Sequence, residues 1–371
     1  MRSAEEIQTN LGRVVLLIRG RQATSRRGLA EELNLSATTA GDYVEQLIDQ
    51  GYVRETGIVK SGPGRPQRSL AALPDAGWFA GVEFNAERVQ AVRLDFTGNV
   101  TAGIVRMLPP RITSRTILRE VTLSIKQLGR SAAGPLLAVG VGAPGVVDPQ
   151  RGVGVEYAFV EDWHDVPVAD TLAARHGVAV TLENNLRAIA YAERWLGGGR
   201  QLTDYVILGP RHGFGVAIVA GGCVQTGSRH AAGEVGRWLI GKQQIHHLLS
   251  APAVWRRLTQ ASAGREPPTD LRRALAKAAD RFPQRVPPVV ADFADVVGRL
   301  HLLLDAQAYF LHGPLTALGP AFYESIGRHS AKVMPALSTS PPVIMASQLG
   351  DDAGAIGAGC HAMERWTPTS S

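Results

Sequence analysis

The sequence predicts an α/β protein in which a small helical module precedes a larger part built from strands and helices. Two observations carry this prediction. Between residues 7 and 49, apolar residues recur at helical spacing in three short stretches separated by polar turns. From residue 78 onwards, short apolar runs alternate with longer amphipathic stretches, as in layered α/β folds with largely parallel strands. The chain of 371 residues is long enough for two or three domains.

Composition and charge limit the kind of protein. No apolar run reaches the ~18 residues that a membrane span needs, and the first residues lack the apolar core of a signal peptide. We therefore expect a cytoplasmic protein without a membrane partner. Two cysteines, Cys223 and Cys360, are too few for a disulfide framework or a zinc cluster. A net charge of +6 permits a nucleic-acid partner, although an arginine-rich composition alone can produce it.

The three helical stretches are predicted over residues 7–19, 26–33 and 37–49. Ser25 and Ser36 stand where helix caps are expected, and the last two helices form a helix-turn-helix, whose second helix enters the major groove of DNA. Small hydroxyls at the start of that helix can reach phosphates or base edges. The candidate DNA-contacting residues are Ser36, Thr38, Thr39 and Tyr43. The helices alone fit a three-helix packing module equally well.

A basic segment after these helices favours the DNA-binding interpretation. Residues 51–55 are predicted to form a strand, with residues 58–60 as its partner. Because Pro66 fixes its own φ and biases the residue before it away from helix, Gly64-Arg65-Pro66 presents an extended arginine. Such an arginine suits a phosphate contact or a narrow minor groove. Arg65 and Arg68 are therefore further DNA-binding candidates, and a flexible basic linker is the alternative.

The helix-turn-helix, the segment Leu47-Ile48-Asp49-Gln50-Gly51-Tyr52-Val53 and the following Gly-Arg-Pro resemble the N-terminal domain of ROK-family transcriptional repressors. That family includes relatives of the xylose and N-acetylglucosamine repressors, and it also contains sugar kinases. Further segments stand in the family's order. They are Gly142-Ala143-Pro144-Gly145, Leu182-Glu183-Asn184-Asn185, Gly213-Phe214-Gly215, Ala232-Gly233-Glu234-Val235-Gly236 and Leu349-Gly350-Asp351-Asp352-Ala353-Gly354.

The resemblance implies a winged helix-turn-helix at residues 1–73, followed by a two-lobed actin-like ATPase fold of the sugar-kinase type. The first lobe is expected at residues 74–185 and the second at residues 186–371, with a ligand cleft between the lobes and the last helix packing back on the first lobe. The implied partners are a double-stranded DNA operator, a sugar-like effector and further copies of the chain, as a dimer or tetramer whose symmetry matches two half-sites.

Three departures from the family pattern argue against sugar phosphorylation. Asn185 stands where the kinases carry a catalytic aspartate, and an amide cannot take up the proton of a sugar hydroxyl. Glu83-Phe84-Asn85-Ala86 replaces the glycine-rich Asp-x-Gly-Gly-Thr phosphate loop, and Phe84 lacks the freedom of glycine. Pro314 follows Gly313 where relatives often carry Gly-Gly, and proline has no N–H to donate. We therefore expect no catalytic residues, no enzymatic activity and no cofactor.

The family's zinc motif is also altered. Arg237 follows Gly236 where the family has histidine, and the next residues, 238–249, contain no cysteine. His246 and His247 are adjacent, which is poor spacing for chelation from one helix face. We expect no metal site.

The resemblance places the candidate ligand residues in two segments. Asn184, Asn185 and Glu234 match positions near the sugar, and amide and carboxylate groups suit sugar hydroxyls. Helix capping by Asn184 and an ion pair of Glu234 are the structural alternatives. Arg187 and Arg237 are departures that suggest an acidic sugar derivative as effector. Loss of all ligand binding, or an active kinase with an accessory N-terminal domain, are the remaining alternatives.

Overall fold

The computed structural model describes residues 4–22, 24–59, 67–333 and 341–368, and the chain divides into two units. One comprises Met1–Glu183 together with Ala355–Ser371, and the other comprises Asn184–Gly354. No helix among the described residues has the length and apolar character needed to cross a membrane. The N-terminal helices therefore share a unit with the first lobe and the chain's last helix.

The N-terminal part contains three helices and a two-stranded sheet. They are α1 (Ala4–Arg19), α2 (Arg26–Leu33), α3 (Ala37–Asp49), β1 (Val53–Val59) and β2 (Gln67–Ala72). Helices α2 and α3 begin and end at the predicted residues, because their ends are encoded locally. The Ser25 hydroxyl accepts from the Gly28 N–H at 3.1 Å, and Gly51, with φ 74°, follows the end of α3.

The two-stranded sheet corrects the predicted pairing after α3. Residues 58–60 were expected to pair with residues 51–55, but Val53 to Val59 is one strand, and it pairs antiparallel with β2. The register shifts between Glu55 and Ile58, which absorbs the irregularity that suggested a turn. The arrangement is a hairpin following a helix-turn-helix, as in a winged domain.

The first lobe begins with an antiparallel meander of three strands. Its elements are β3 (Trp78–Phe84), β4 (Arg88–Asp95), β5 (Val100–Met107), α4 (Ser114–Gly129), β6 (Leu136–Ala143), β7 (Val146–Asp148), β8 (Val153–Glu156), β9 (His164–Val166), α5 (Val168–His176) and β10 (Ala179–Asn184). The five-stranded sheet has the order β10-β6-β3-β4-β5. Strand β3 is parallel to β6, whereas β3 with β4 and β4 with β5 are antiparallel. The small sheet β7-β8-β9 was not predicted, because its strands have only three or four residues.

The second unit carries the other five-stranded sheet and most of the later helices. Its elements are α6 (Asn185–Leu196), β11 (Tyr205–Pro210), β12 (Phe214–Ala220), β13 (Cys223–Val224), β14 (Leu239–Ile240), β15 (Gln243–Gln244), α7 (Ile245–Leu249), α8 (Ala251–Thr259), α9 (Leu271–Arg281), α10 (Val286–Leu304), β16 (Ala308–Leu311), α11 (Pro320–Val333), β17 (Ile344–Ala346) and the start of α12 (Ala353–Arg365). The sheet order is β13-β12-β11-β16-β17, and β11, β16 and β17 are parallel.

Helix α12 packs against the first-lobe sheet at very short range. A side chain at Gly81 of β3 would overlap the Ala355 carbonyl, and one at Gly140 of β6 would overlap the Ala358 carbonyl. Gly359 of the helix faces Gly81 in return. Glycine is required at these positions because the helix and strand backbones are in direct contact.

The N-terminal domain is anchored on the first lobe by a buried arginine. The Arg19 guanidinium lies 3.8 Å from the ring centroid of Phe96, 5.0 Å from that of Phe79 and 5.1 Å from that of Trp366. It also donates to the Met363 carbonyl at 3.3 Å. Cation–π contacts and one carbonyl thus stabilise a charge that burial disfavours, and burial lowers the pKa of Arg19 to about 9.

Candidate functional site

The start of α3 exposes some, but not all, of the predicted DNA-contacting side chains. The Ser36 hydroxyl caps the helix by accepting from the Thr39 N–H at 3.1 Å, and it also bonds to the Thr39 hydroxyl at 2.8 Å. Thr38 is exposed and Thr39 is half-buried. Ser36 and Thr38 are therefore accessible at the N-terminal end of the helix, where backbone N–H groups favour phosphate.

Tyr43 was expected on this exposed face, and that expectation was wrong. Only 5% of its surface is exposed, because it lies on the inner face of α3 with Ala40, Val44 and Leu47. Its hydroxyl lies 3.4 Å from the Asn10 amide nitrogen of α1. Tyr43 therefore packs α3 against α1 and is not available on the surface of the helix.

A charge network that the sequence did not reveal connects α2, α3 and the hairpin. Nη2 of Arg26 lies 2.6 Å from a Glu45 carboxylate oxygen and 2.9 Å from a Glu55 oxygen. The second Glu55 oxygen lies 2.6 Å from Nη1 of Arg68. The network lowers the pKa of the Glu55 carboxyl, mainly through its hydrogen bonds with Arg68 and Arg26. The network thus connects α2 and α3 with the hairpin.

The two predicted basic contacts of the hairpin have different outcomes. The side chain of Arg68 is 70% exposed, and its bond to Glu55 uses one guanidinium nitrogen, so the others face solvent. Arg65 lies outside the described residues, as does the rest of the Gly-Arg-Pro segment. Arg68 is thus placed for a phosphate contact, and Arg65 stays a prediction.

The first-lobe loop that replaces the kinase phosphate loop uses its own backbone donors. The Asn85 N–H donates to the Arg88 carbonyl at 3.0 Å, and the Ala86 N–H donates to the Tyr157 hydroxyl at 3.0 Å. The Asn85 side-chain oxygen accepts from the N–H groups of Glu87 and Arg88, each at 2.8 Å. Four successive N–H groups are therefore bonded within the protein, whereas a phosphate-binding loop must direct its N–H groups at the ligand.

Phe84 and Tyr157 explain how this loop is held closed. Phe84 ends β3 with its ring buried against Trp163, at 5.0 Å between centroids. The hydroxyl of Tyr157 supplies the acceptor for the Ala86 N–H. The sequence pointed to Phe84 as a change in the loop, but it carried no signal for Tyr157, because the contact joins residues 71 positions apart.

In the second unit, the predicted ligand residues gather at the start of α6. The side-chain oxygen of Asn184 caps the helix by accepting from the Leu186 N–H at 2.9 Å, and Asn185 is the first helical residue. The Leu186 side chain fills the space beside Gly209 and Gly215, where any other side chain would overlap it. Capping, the structural alternative for Asn184, is therefore present, and both amides are half-buried.

The Gly-Glu-x-Gly segment lies against β12. A side chain at Gly233 would overlap the Val216 carbonyl, and one at Gly236 would overlap the Phe214 carbonyl. Glu234 stands between these glycines and is exposed, and it has no ion pair with any residue that the structure describes. The two glycines thus press the loop onto the strand and leave the Glu234 carboxylate at the surface.

The two arginines that suggested an acidic effector occupy different surroundings. Arg187 is only 3% exposed, and its Nη1 donates to the His230 carbonyl at 3.0 Å, so it fastens the loop that carries Glu234 to α6. Arg237 lines a surface groove of about 630 Å³ together with Arg299 and four leucine or tryptophan neighbours. At least part of the Arg187 guanidinium is thus used within the protein, and its role towards an acidic effector stays a prediction.

Metal ligands do not converge in the part of the chain that the structure describes: no group of three histidine, cysteine or acidic side chains is placed to hold an ion. His246 and His247 contact each other, with 3.0 Å between their Nε2 atoms. Burial, and next the neighbouring His247, lower the pKa of His246. The pair is a local contact of adjacent residues.

The chain is similar to regulators and to sugar kinases of one family. The sequence model of the ROK family matches residues 80–365. A putative xylose repressor from Caldicellulosiruptor sp. (strain Rt8B.4) is 26% identical over 236 residues, which is 63% of this chain and 59% of that protein. A glucokinase from Thermotoga maritima is also 26% identical, over 67% of this chain and 86% of its own. A solved ROK-family transcriptional regulator, a homologue of the Escherichia coli MLC protein, has a TM-score of 0.82 at 19% identity and covers 96% of both chains.

The fold and these matches define a protein with a winged helix-turn-helix joined to a sugar-kinase-like α/β part, and the chain belongs to the ROK family. The predicted family and fold class are confirmed. Repressors and kinases match at similar identity, and the match spans less than two thirds of the repressor relative's length. Family membership alone therefore does not separate regulation from catalysis.

Proposed function

We propose that the chain is a DNA-binding transcriptional repressor whose sugar-kinase-like part does not transfer phosphate. The observation that carries the first half is the N-terminal arrangement: the exposed start of α3 stands beside a hairpin held by the Arg26, Glu45, Glu55 and Arg68 network. Helix and hairpin of this kind contact adjacent phosphates and base edges. Relatives named as xylose repressors support the same assignment.

The closed phosphate loop supports the second half of the proposal. An ATP-binding loop supplies free N–H groups, and the four groups from Asn85 to Arg88 are bonded internally. Asn185 at the start of α6 has no useful basicity. Because the loop offers no free N–H groups to a phosphate and Asn185 is no base, the sugar-kinase-like part is suited to ligand recognition and not to catalysis. The effector that we propose is a sugar or sugar derivative that contacts Asn184, Asn185 and Glu234.

DNA binding is tested by finding the operator and then changing single contacts. Footprinting of genomic fragments with the full chain identifies the bound sites. Thr38→Ala should then weaken operator binding by about 1–3 kcal/mol if Thr38 contacts a base edge, without affecting non-operator DNA. Arg68→Ala should weaken both and reduce the slope of log affinity against log salt by about 1.

The matched control for these variants is Arg200→Ala, which removes an exposed arginine of the second unit. Operator binding that is as strong in Thr38→Ala and Arg68→Ala as in this control would contradict the proposed surface.

The kinase alternative is tested by following ATP consumption with a panel of monosaccharides. Sugar-dependent turnover would overturn the non-catalytic part of the proposal and leave the DNA-binding part standing.

A further inference from the structure

A groove on the first lobe, away from every residue used above, is lined by four cationic side chains. It has a volume of about 380 Å³. Its walls are Arg115, Arg119, Thr122, Leu123 and Lys126 of α4 and Arg175 of α5. The spacing of Arg115, Arg119, Thr122 and Lys126 along α4 places them on one helix face. At 1.5 Å per residue this face is about 16 Å long, which exceeds the size of a small anion.

The positive charge of the groove is mostly unbalanced. Glu120 lies 2.9 Å from Arg119, but it also lies 2.8 Å from Arg106, so one carboxylate serves two arginines. Arg115 and Lys126 make no ion pair with any residue that the structure describes. Burial lowers the pKa of the nearby His176, and Lys126 and Arg175 lower it further, as expected in a positive field.

One arginine of the groove is held in position before any partner arrives. Nη1 of Arg175 donates to the Leu118 carbonyl and to the Thr122 hydroxyl, both at 3.0 Å. The Thr122 hydroxyl itself donates to the Leu118 carbonyl at 2.7 Å. A guanidinium held in this way loses less conformational entropy when it binds a carboxylate.

The groove also exposes an apolar contact between its charges. Leu123 is 39% exposed and lies between Arg119 and Lys126 in the sequence. A nucleic acid would place phosphates along the row of cations on α4, and its phosphates would make no favourable contact with Leu123. A peptide can place carboxylates beside the cations and an apolar side chain against Leu123.

DNA that is bound at α3 cannot also occupy the groove on α4 and α5. Helix α4 packs on the face of β3 that carries Trp78, Ala80 and Val82. The N-terminal domain contacts the opposite face, because Arg19 lies against Phe79. Since successive side chains of a strand point to opposite faces, the groove and the helix-turn-helix lie on different sides of this sheet.

We propose that this groove is a docking site for an acidic peptide segment of a protein partner, with one apolar side chain seated on Leu123. The carboxylates of the segment pair with Arg115, Lys126 and the fixed Arg175. The inference does not depend on DNA binding, so the two can fail separately.

The test uses the full chain and two short fluorescent peptides rich in glutamate, one with a central leucine and one with glycine in its place. The leucine peptide should bind more tightly, and its affinity should fall with salt. The double variant Arg115→Glu with Lys126→Glu should weaken its binding about tenfold or more, since like charges then face each other. Leu123→Ser should remove the preference for leucine while leaving the glycine peptide unaffected.

The matched control is Arg200→Glu, an exposed charge reversal in the second unit that should change neither affinity. Absence of binding to the wild-type chain would overturn the proposal. So would equal binding of the two peptides, or a random-sequence DNA duplex that competes for the groove as strongly as the peptide, because either result describes a non-specific polyanion surface. The Leu123→Ser variant retains all charges, so it keeps the test valid if the double variant does not fold.

Discussion

At the scale of single residues, the Tyr157 hydroxyl closes the former phosphate loop. The substitution Tyr157→Phe removes the acceptor of the Ala86 N–H and keeps the ring, which contacts the tilted ring of Phe159 at 5.6 Å between centroids. The loss of one such bond should lower the free energy of unfolding by about 1–2 kcal/mol. Urea unfolding measures this change, and ATP consumption with sugars should remain absent, because Asn185 is still no base.

The control for this prediction is Phe159→Leu, which alters the ring contact and leaves the hydroxyl in place. It should cost less than Tyr157→Phe, because Phe159 is largely exposed. If the two variants are equally destabilised, the ring contact and not the hydrogen bond holds the loop. Sugar-dependent ATP turnover in Tyr157→Phe would instead mean that this hydroxyl alone suppresses catalysis.

Residues whose role depends on distant contacts were the ones that the sequence misplaced. Tyr43 has a polar end and an apolar ring, and only packing against Asn10 of α1 decides that it points inward. No sequence pattern predicts the hydrogen bond that Arg187 donates to the carbonyl of His230, 43 positions away. The glycines of the Gly-Glu-x-Gly segment were recognised as a motif. The reason that glycine is needed there is their close contact with β12, which is a tertiary contact that the motif does not reveal.

At the scale of secondary-structure elements, Ser36 caps α3 and is proposed to contact DNA, and a pair of substitutions can separate the two. Ser36→Ala removes the cap of α3 and should cost about 1 kcal/mol of stability. Ser36→Asp keeps a capping oxygen and adds a negative charge that the helix dipole favours, so stability should be retained. The same charge should repel phosphate, so operator affinity should fall in Ser36→Asp.

Urea unfolding and operator titration of both variants check this prediction. Stability and DNA affinity that fall together in both variants would mean that the Ser36 position matters only for folding α3. Unchanged operator affinity in Ser36→Asp would place the DNA away from the start of the helix.

Elements with local end signals were predicted closely, and those that depend on pairing were not. Helices α2 and α3 were correct to the residue, because their capping serines lie next to them. The hairpin was wrong in its pairing, because a register shift within β1 resembles a turn in the sequence. Alternation of strands and helices predicted parallel pairs such as β11 with β16, but it carried no signal for the antiparallel pairing of β11 with β12.

At the scale of the whole molecule, the N-terminal helices and the chain's last helix meet in one place. Arg19 of α1, Phe79 and Phe96 of the first lobe and Trp366 after α12 form a cluster, and Tyr52 stacks on Phe96 at 5.1 Å between centroids. The bond from Arg19 to Met363 spans 344 positions. No periodicity predicts such a contact, although the resemblance to the ROK family implied that the last helix returns to the first lobe.

This cluster leads to a prediction about how α1 is held. Trp366→Ala should lower the free energy of unfolding by roughly 2 kcal/mol, because it uncovers the Arg19 charge and leaves a gap. The loss is smaller than for a fully buried ring, since Trp366 is only partly buried. Hydrogen exchange of the intact chain should then rise in α1 and β1 and stay unchanged in β11 and β16 of the second unit. Arg19→Met, which fills the space without a charge, should leave that protection intact at neutral pH.

The two variants should also differ with pH. Burial holds the pKa of Arg19 well below its unfolded value, at about 9, so the folded chain binds this proton less firmly than the unfolded chain. The resulting cost is present in full at neutral pH and shrinks as the pH rises above 9. The stability of Arg19→Met relative to the wild type should therefore decline between pH 8 and pH 10.5 in urea unfolding. A constant difference over that range would mean that the carbonyl and the rings compensate the buried charge completely, and Arg19 would then act only as a filler of space.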